Sequence, residues 1–265
     1  MGIKIDTVID LLNFYKALGF KDIPNDFLKS LLKNSHAKSV KTESLLNSTV
    51  NIQSKKNNEN LSKISIYNDD FSVSFGHEKN SAIEKLNQEI KECKKCPLSN
   101  SRKNPVCGQG NINAKLMFIG EAPGIDEDLQ GIPFVGEAGK LLTSLIEKMG
   151  FNRQDVYITN TVKCHPPGNR EPFESEIEIC FDYLKREIEI VSPKVIMTLG
   201  KVATYALMEM KSKLKEIKIS KIRGNVFFYR KIPVIPTFHP AYLLRNRKDK
   251  WLTWEDAQEA LRRLK

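Results

Sequence analysis

From about Ala82 onward, short wholly apolar runs alternate with amphipathic stretches at helical spacing, and that rhythm restricts the chain to very few architectures. Leu116-Met117-Phe118-Ile119 predicts a buried strand, and the Gly/Pro-rich loop after it leads into a helix over Ala138–Met149. Val156-Tyr157-Ile158 predicts a second strand and residues 174–190 a second helix. Val195–Leu199 predicts a third strand, followed by a helix over Lys201–Met210. Val226–Tyr229 and Val234-Ile235 predict further strands, and Trp254–Leu264 a closing helix with Thr253 as its N-cap. Strands that alternate with helices form a mostly parallel sheet covered on both faces. In such folds ligands bind at the carboxyl ends of the strands.

The first third of the chain reads differently. Val8, Leu11, Leu12, Tyr15 and Leu18, then Phe27, Leu28, Leu31 and Leu32, predict a small helical extension over residues 1–33. Ser, Asn and Lys dominate from Asn34 to about Lys63, which predicts a flexible linker over 34–81 ahead of a domain at 82–265. A solvated tail with marginal helices is favoured over a docking module for a partner.

Charge and cysteine content narrow the function classes. The chain carries 42 Lys+Arg against 32 Asp+Glu, a formal net charge of +10. That excess suits a polyanionic partner, because phosphates and their counterions supply most non-specific affinity. A Lys-rich proteome explains the same number without any nucleic acid. No run approaches the ~18–20 apolar residues of a membrane span. Asp6, Asp10 and Lys16 interrupt any signal peptide, and Asp6 stands where a myristoylation site needs Ser or Thr. A cytoplasmic monomer without membrane contact is expected. Five cysteines in that setting point to metal or redox chemistry rather than a disulfide framework.

Cys93 and Cys96 form a C-x-x-C pair, which needs only a tight turn to aim two sulfurs at one metal. Two further thiolates from among Cys107, Cys164 and Cys180 would complete a four-sulfur site suited to zinc or to a [4Fe–4S] cluster. Spacing alone separates neither the metals nor the odd cysteine. Unrelated buried thiols are the plainer alternative, and the C-x-x-C weighs against it.

Three loops that follow predicted strands carry the chemistry. Gly120-Glu121-Ala122-Pro123-Gly124-Ile125-Asp126-Glu127-Asp128 concentrates four carboxylates in a basic protein, which suits a developing positive charge; an acidic surface turn is the plainer reading. Gly131-Ile132-Pro133-Phe134-Val135-Gly136 holds one aromatic ring in a rigid loop, as a base-stacking surface or a hydrophobic plug. Asn160 ends the second strand, and a fixed amide offers a donor and an acceptor side by side. That pair matches the O4 and N3–H of uracil and mismatches cytosine, although a turn or cap role is common for Asn. Phe238-His239-Pro240 confines an imidazole, as a positioned donor requires. Leu243, Leu244 and Arg245 beside it offer a wedge and a phosphate contact.

Taken in order, GEAPG-x-x-ED, GIPFVGEAGKLL, TNTVKCHPPGNREP, TLGK and TFHPAYLL resemble the motifs of the thermophile-type, iron–sulfur (family 4) uracil-DNA glycosylases over about residues 82–265. The resemblance implies an α/β/α sandwich, a [4Fe–4S] cluster held by Cys93, Cys96, Cys164 and Cys180, and removal of uracil from single- and double-stranded DNA. Cys107 falls outside the implied ligand pattern. It also implies a uracil pocket of Glu121, Ile125, Asp126, Glu127, Phe134, Asn160 and His239. In that reading Phe134 stacks on the extruded base, Asn160 reads its edge and His239 donates to O2, with Glu121 or Glu127 meeting the sugar cation. Asn169, Arg170, Leu243, Leu244 and Arg245 are the implied DNA contacts, and the cluster holds its segments in register. The non-iron–sulfur branch carries Asp and Tyr where this chain has Ala122 and Gly124, so the role of that Asp must fall to another carboxylate here.

Two rivals are separable by sequence. A binder that traps uracil-DNA would need a basic, His-containing insertion after the acidic motif, whereas Asp128 runs through Leu129-Gln130 straight to Gly131. A zinc-dependent DNA-binding protein would need the cysteines without the pocket motifs. A glycosylase for hypoxanthine or another deaminated base is a third, weaker alternative.

Overall fold

The computed structural model describes residues 69–210 and 213–265. The expected extension over 1–33 and residues 34–68 of the expected linker lie outside the described residues. His77–Lys265 form one compact unit. Among the described residues a six-stranded sheet is flanked by eight α-helices, a three-layer α/β/α sandwich.

Four parallel strands make the centre of the sheet: β2 (Leu116–Gly120), β3 (Tyr157–Asn160), β4 (Val195–Leu199) and β6 (Ile232–Thr237). Short antiparallel strands close its edges, β1 (Gln109–Gly110) beside β3 and β5 (Phe227–Tyr229) beside β6. Every residue of β2, β3 and β4 is buried, as a sheet covered on both faces requires.

Alternation assigns the two faces. Met117, Ile119, Tyr157, Ile196 and Val234 share one core with helices α1 (Asp69–Glu92), α4 (Glu174–Val191) and α5 (Lys201–Leu207). Their neighbours Leu116, Phe118, Ile158, Val195, Met197 and Ile235 are equally buried and point to the opposite layer. There α8 (Lys250–Leu264) lies along β4 and β6, while α3 (Glu137–Lys148) packs on α7 (Pro240–Arg245).

Several boundaries differ from the sequence expectation. Helix α1 begins at Asp69, inside the stretch expected to be linker, because Ser, Asn and Gly mask a helix whose later turns carry the core residues Ile83, Leu86 and Ile90. Thr253 is not a cap: it is buried inside α8, which starts at Lys250. The buried Lys250 stem starts the helix a turn early, and an apolar count does not register a lysine. Helix α5 stops at Leu207 because Glu209 and Met210 take left-handed φ of 56° and 53°. Two short helices replace expected loops, α2 (Ile125–Gln130) and α7, and α6 (Ile219–Ile222) precedes β5. No helix among the described residues is long and apolar enough to cross a membrane.

Candidate active site

The carboxyl ends of β2, β3 and β6 converge on one cavity of about 460 Å³. Glu121 leaves β2, Asn160 ends β3 and His239 follows β6. Gly120 and Asn160 are direct partners in the parallel ladder, so the β2 loop and Asn160 are set by sheet register rather than by flexible chain. Beyond the ladder, Thr161 N–H donates to Gly120 O at 2.9 Å and Val162 N–H to Glu121 O at 3.1 Å.

Phe134 forms the flat wall of the cavity. A Cβ at Gly120 would collide with both the Phe134 ring and the Asn160 amide, so glycine there allows ring and amide to meet. Phe134 has a φ of 54°, a region that costs a non-glycine residue of order 1–3 kcal/mol. Its neighbours hold it there. Arg153 Nη2 donates to Pro133 O at 2.6 Å, while Val135 N–H and Gly136 N–H donate to Glu127 Oε1 at 2.9 and 3.0 Å. Gly139 lets α3 press against the Phe134 carbonyl, where any side chain would collide.

Glu127 has a third donor, Gly124 N–H at 3.0 Å to Oε2. Both its oxygens are therefore occupied in joining the two glycine-rich loops. Glu121 makes no such commitment. Burial, and secondarily the Glu171 carboxylate, push its pKa up to about 7, with Lys201 opposing. Glu171 and Lys201 themselves pair at 2.8 Å.

His239 is fixed by one backbone amide: Ala241 N–H donates to Nδ1 at 3.2 Å. The proton of the neutral ring therefore sits on Nε2. Burial lowers the pKa to about 4, against a small opposing pull from Glu127. Its ring lies 5.8 Å from that of Phe134. Two buried polar atoms at this cavity have no protein partner, His239 Nε2 and Asn160 Oδ1.

The structure thus brings Glu121, Glu127, Phe134, Asn160 and His239 to one cavity, with Asn169, Arg170 and Arg245 at its border. Ile125 is 57% exposed outside it, and Asp126 does not border it. Leu243 is sealed in the core, whereas Leu244 is exposed. Arg170 is largely committed, its guanidinium pairing with both oxygens of Glu176 at 2.7 and 2.8 Å.

Sequence reasoning missed the support beneath Asn160. Lys163 Nζ, buried, donates to Asn160 O at 2.7 Å, to Thr159 Oγ1 at 2.7 Å and to Glu187 Oε2 at 2.6 Å. Glu187 also accepts from Gly108 N–H at 3.1 Å. The available signal was Glu187 itself, an acid on the apolar stripe of Ile177, Cys180 and Leu184.

Cys93, Cys96, Cys164 and Cys180 border a second, apolar gap. Arg102 Nη1 donates to Cys164 Sγ at 3.0 Å, and burial pushes the Cys180 thiol up to about 12. Cys107 sits apart, with Asn87 O 3.8 Å from its sulfur. Among the described residues no three ligating side chains already close around a metal-sized point. All five cysteines are free.

A cavity at the strand ends of a doubly covered parallel sheet, with one flat wall and two unpaired polar atoms, defines an α/β enzyme that takes a planar polar ring. The chain matches the Uracil DNA glycosylase superfamily over residues 107–265. It is 49% identical over 180 residues to a type-4 uracil-DNA glycosylase of Saccharolobus solfataricus, covering 66% of this chain and 82% of that one. It is 44% identical over 181 residues to that of Thermotoga maritima, covering 67% and 92%. The Archaeoglobus fulgidus enzyme of the same name is 44% identical over 167 residues, covering 62% and 83%. The chain belongs to the type-4 uracil-DNA glycosylases.

Proposed function

We propose that this protein excises uracil from DNA, hydrolysing the N-glycosidic bond of deoxyuridine in single- and double-stranded substrates and leaving an abasic site. One observation carries the reading: the unpaired Asn160 Oδ1 and His239 Nε2 are an acceptor and a donor complementary to uracil. Buried polar atoms without partners are rare enough to need an explanation, and a bound base supplies it.

The target base reaches such a cavity only after leaving the stack. Phe134 then covers its face. Asn160 Oδ1 accepts from N3–H while its amide nitrogen donates to O4; cytosine, with a bare N3 and an amino N4, leaves both mispaired. His239 Nε2–H donates to O2 as the breaking N1–C1′ bond pushes its electron pair onto the base. The sugar becomes cationic. Glu121 is the carboxylate free to answer it, since Glu127 is occupied by three amides. As an anion Glu121 stabilises the oxocarbenium and takes a proton from the water that adds to C1′. Asn169 and Arg245 at the rim suit contact with the flanking backbone. A cytoplasmic setting fits cysteines assigned to a metal rather than to disulfides, together with a DNA substrate.

Cys93, Cys96, Cys164 and Cys180 fit a [4Fe–4S] cluster by donor chemistry: four soft sulfurs around one apolar gap, with an Arg102 donor on Cys164. When bound, the cluster supplies a crosslink between the Cys93, Cys164 and Cys180 segments and takes no part in base removal.

Incubation with a deoxyuridine-containing strand, then alkali, tests the reading. Strand cleavage at uracil is expected, and Asn160→Asp should lose most of it while retaining DNA affinity. Intact strands after exposure to the folded wild-type protein overturn the proposal.

A further inference from the structure

Phe173, three residues beyond Arg170 in the chain, leaves 60% of its surface exposed. It stands at the N-cap of α4 with extended backbone, and its ring carries the Arg170 guanidinium 4.0 Å from the centroid. Arg170 borders the cavity while Phe173 does not, so the ring lies one guanidinium beyond the cavity wall. Glu176, buried, fixes both members. Its Oε1 and Oε2 accept from Arg170 at 2.7 and 2.8 Å, and Oε2 accepts from Phe173 N–H at 2.8 Å. Arg170 Nη1 also donates to Glu171 O at 3.0 Å.

The result is a pre-set stack. Arg170 covers one face of the ring, so the exposure belongs to the other face and the edge. The Arg170 charge is already matched by Glu176, which leaves this corner poorly suited to a phosphate and well suited to a π-surface. An exposed aromatic held rigid beside a nucleic-acid cavity loses little side-chain entropy when a base stacks on it. Every base offers such a face, so the contact is indifferent to sequence.

We infer that Phe173, braced by Arg170 and Glu176, is a stacking platform for an unpaired base adjacent to the extruded deoxyuridine on the same strand. The inference rests on the uracil-excision reading for its substrate and on the Phe173–Arg170–Glu176 geometry for its site. It gives single-stranded DNA a second point of attachment that a fully paired neighbour cannot use.

The test uses the full chain and two single-stranded oligonucleotides, one ordinary and one with abasic spacers on both sides of deoxyuridine. Base stacking of this kind is worth ~1–3 kcal/mol, so Phe173→Ala should raise KM on the ordinary strand about tenfold and leave kcat unchanged. Phe173→Trp should restore KM. On the spacer strand wild type and Phe173→Ala should be equal. Fluorescence anisotropy with uracil-free strands, one with bases and one wholly abasic, reads the contact without any excision. If wild type releases no uracil, the function falls, yet weaker binding of Phe173→Ala to the strand with bases still supports the platform. Equal KM and equal anisotropy for the two proteins, or the same loss on the spacer and abasic strands, overturns it.

Discussion

At the scale of single residues, one amide and one desolvated carboxyl set the protonation pattern of the site. Ala241 N–H takes the Nδ1 lone pair of His239, and burial holds the ring pKa near about 4, so Nε2 is a neutral donor throughout the physiological range. Glu121 moves the other way, up to about 7. Below that value it is protonated and cannot meet a sugar cation; above it the anion is present. Single-turnover kcat/KM on a deoxyuridine strand should therefore rise with pH through about 7 and level off, with no separate limb from His239 near the ordinary imidazole value. Glu121→Gln should flatten the profile at a low rate. A limb retained in that variant would assign the titration to another group. The two groups act oppositely on stability. As pH falls from the ordinary imidazole value of ~6.5 toward about 4, the unfolded chain gains a proton that the native His239 ring refuses, which weakens folding; as pH falls from about 7 toward 4.5, native Glu121 takes up a proton before the unfolded chain does, which strengthens it. Glu121→Gln should therefore expose an acid destabilisation that the wild type largely offsets, read by denaturant titration between about pH 7 and about pH 4.

At the scale of elements, Asn160 is tied to a distant helix through a buried lysine. Strand β3 delivers Asn160, and the loop after it delivers Lys163, whose ammonium returns to the Asn160 carbonyl and to Glu187 on α4. Both members of the ion pair are buried, and removing one partner of such a pair typically costs ~3–5 kcal/mol because the other charge is stranded. Glu187→Gln should lower unfolding stability by about that amount in denaturant titration. It should also reduce uracil release more than DNA binding, since Asn160 loses its anchor and the DNA surface does not. A Lys163→Met/Glu187→Leu double variant should recover much of the stability, because no unpaired charge remains. A similar logic places Glu127, at the N-terminus of α2, as the tie between the Gly124 and Gly136 loops.

At the scale of the whole molecule, the sheet brings the cavity together, and a cluster on the four cysteines would tie down its surroundings. Cys93 lies past the end of α1, Cys164 in the loop behind Asn160 and Cys180 on α4, so the proposed cluster would join three separate pieces of chain. Cys180→Ser should lose visible absorbance and iron, and should lower the thermal midpoint by several degrees, since ~1 kcal/mol is worth roughly 2–4 °C in domains of about this size. Iron and sulfide analysis beside calorimetry checks this. A colourless wild-type protein containing zinc would contradict the cluster assignment.

The sequence by itself located five of the six described strands, the mostly parallel character of the sheet and the loops that carry chemistry, and missed only the two-residue edge strand Gln109–Gly110. Apolar runs such as Val195–Leu199 have few structures open to them once both faces must be buried. It also singled out Phe134 in a loop of glycines and a proline, Asn160 at the end of a strand and His239 ahead of a proline, and the family resemblance joined the three into one site. Only the tertiary structure divided the two acidic candidates, leaving Glu121 unbound and engaging Glu127 with three amides, since backbone donors from residues 124, 135 and 136 meet only in the folded chain. It separated buried Leu243 from exposed Leu244, neighbours of identical chemistry that a short helix turns opposite ways. It revealed the Lys163–Glu187 support for the same reason. Local pattern fixes which residues face inward, but which buried group meets which is settled by contacts between segments far apart in the chain.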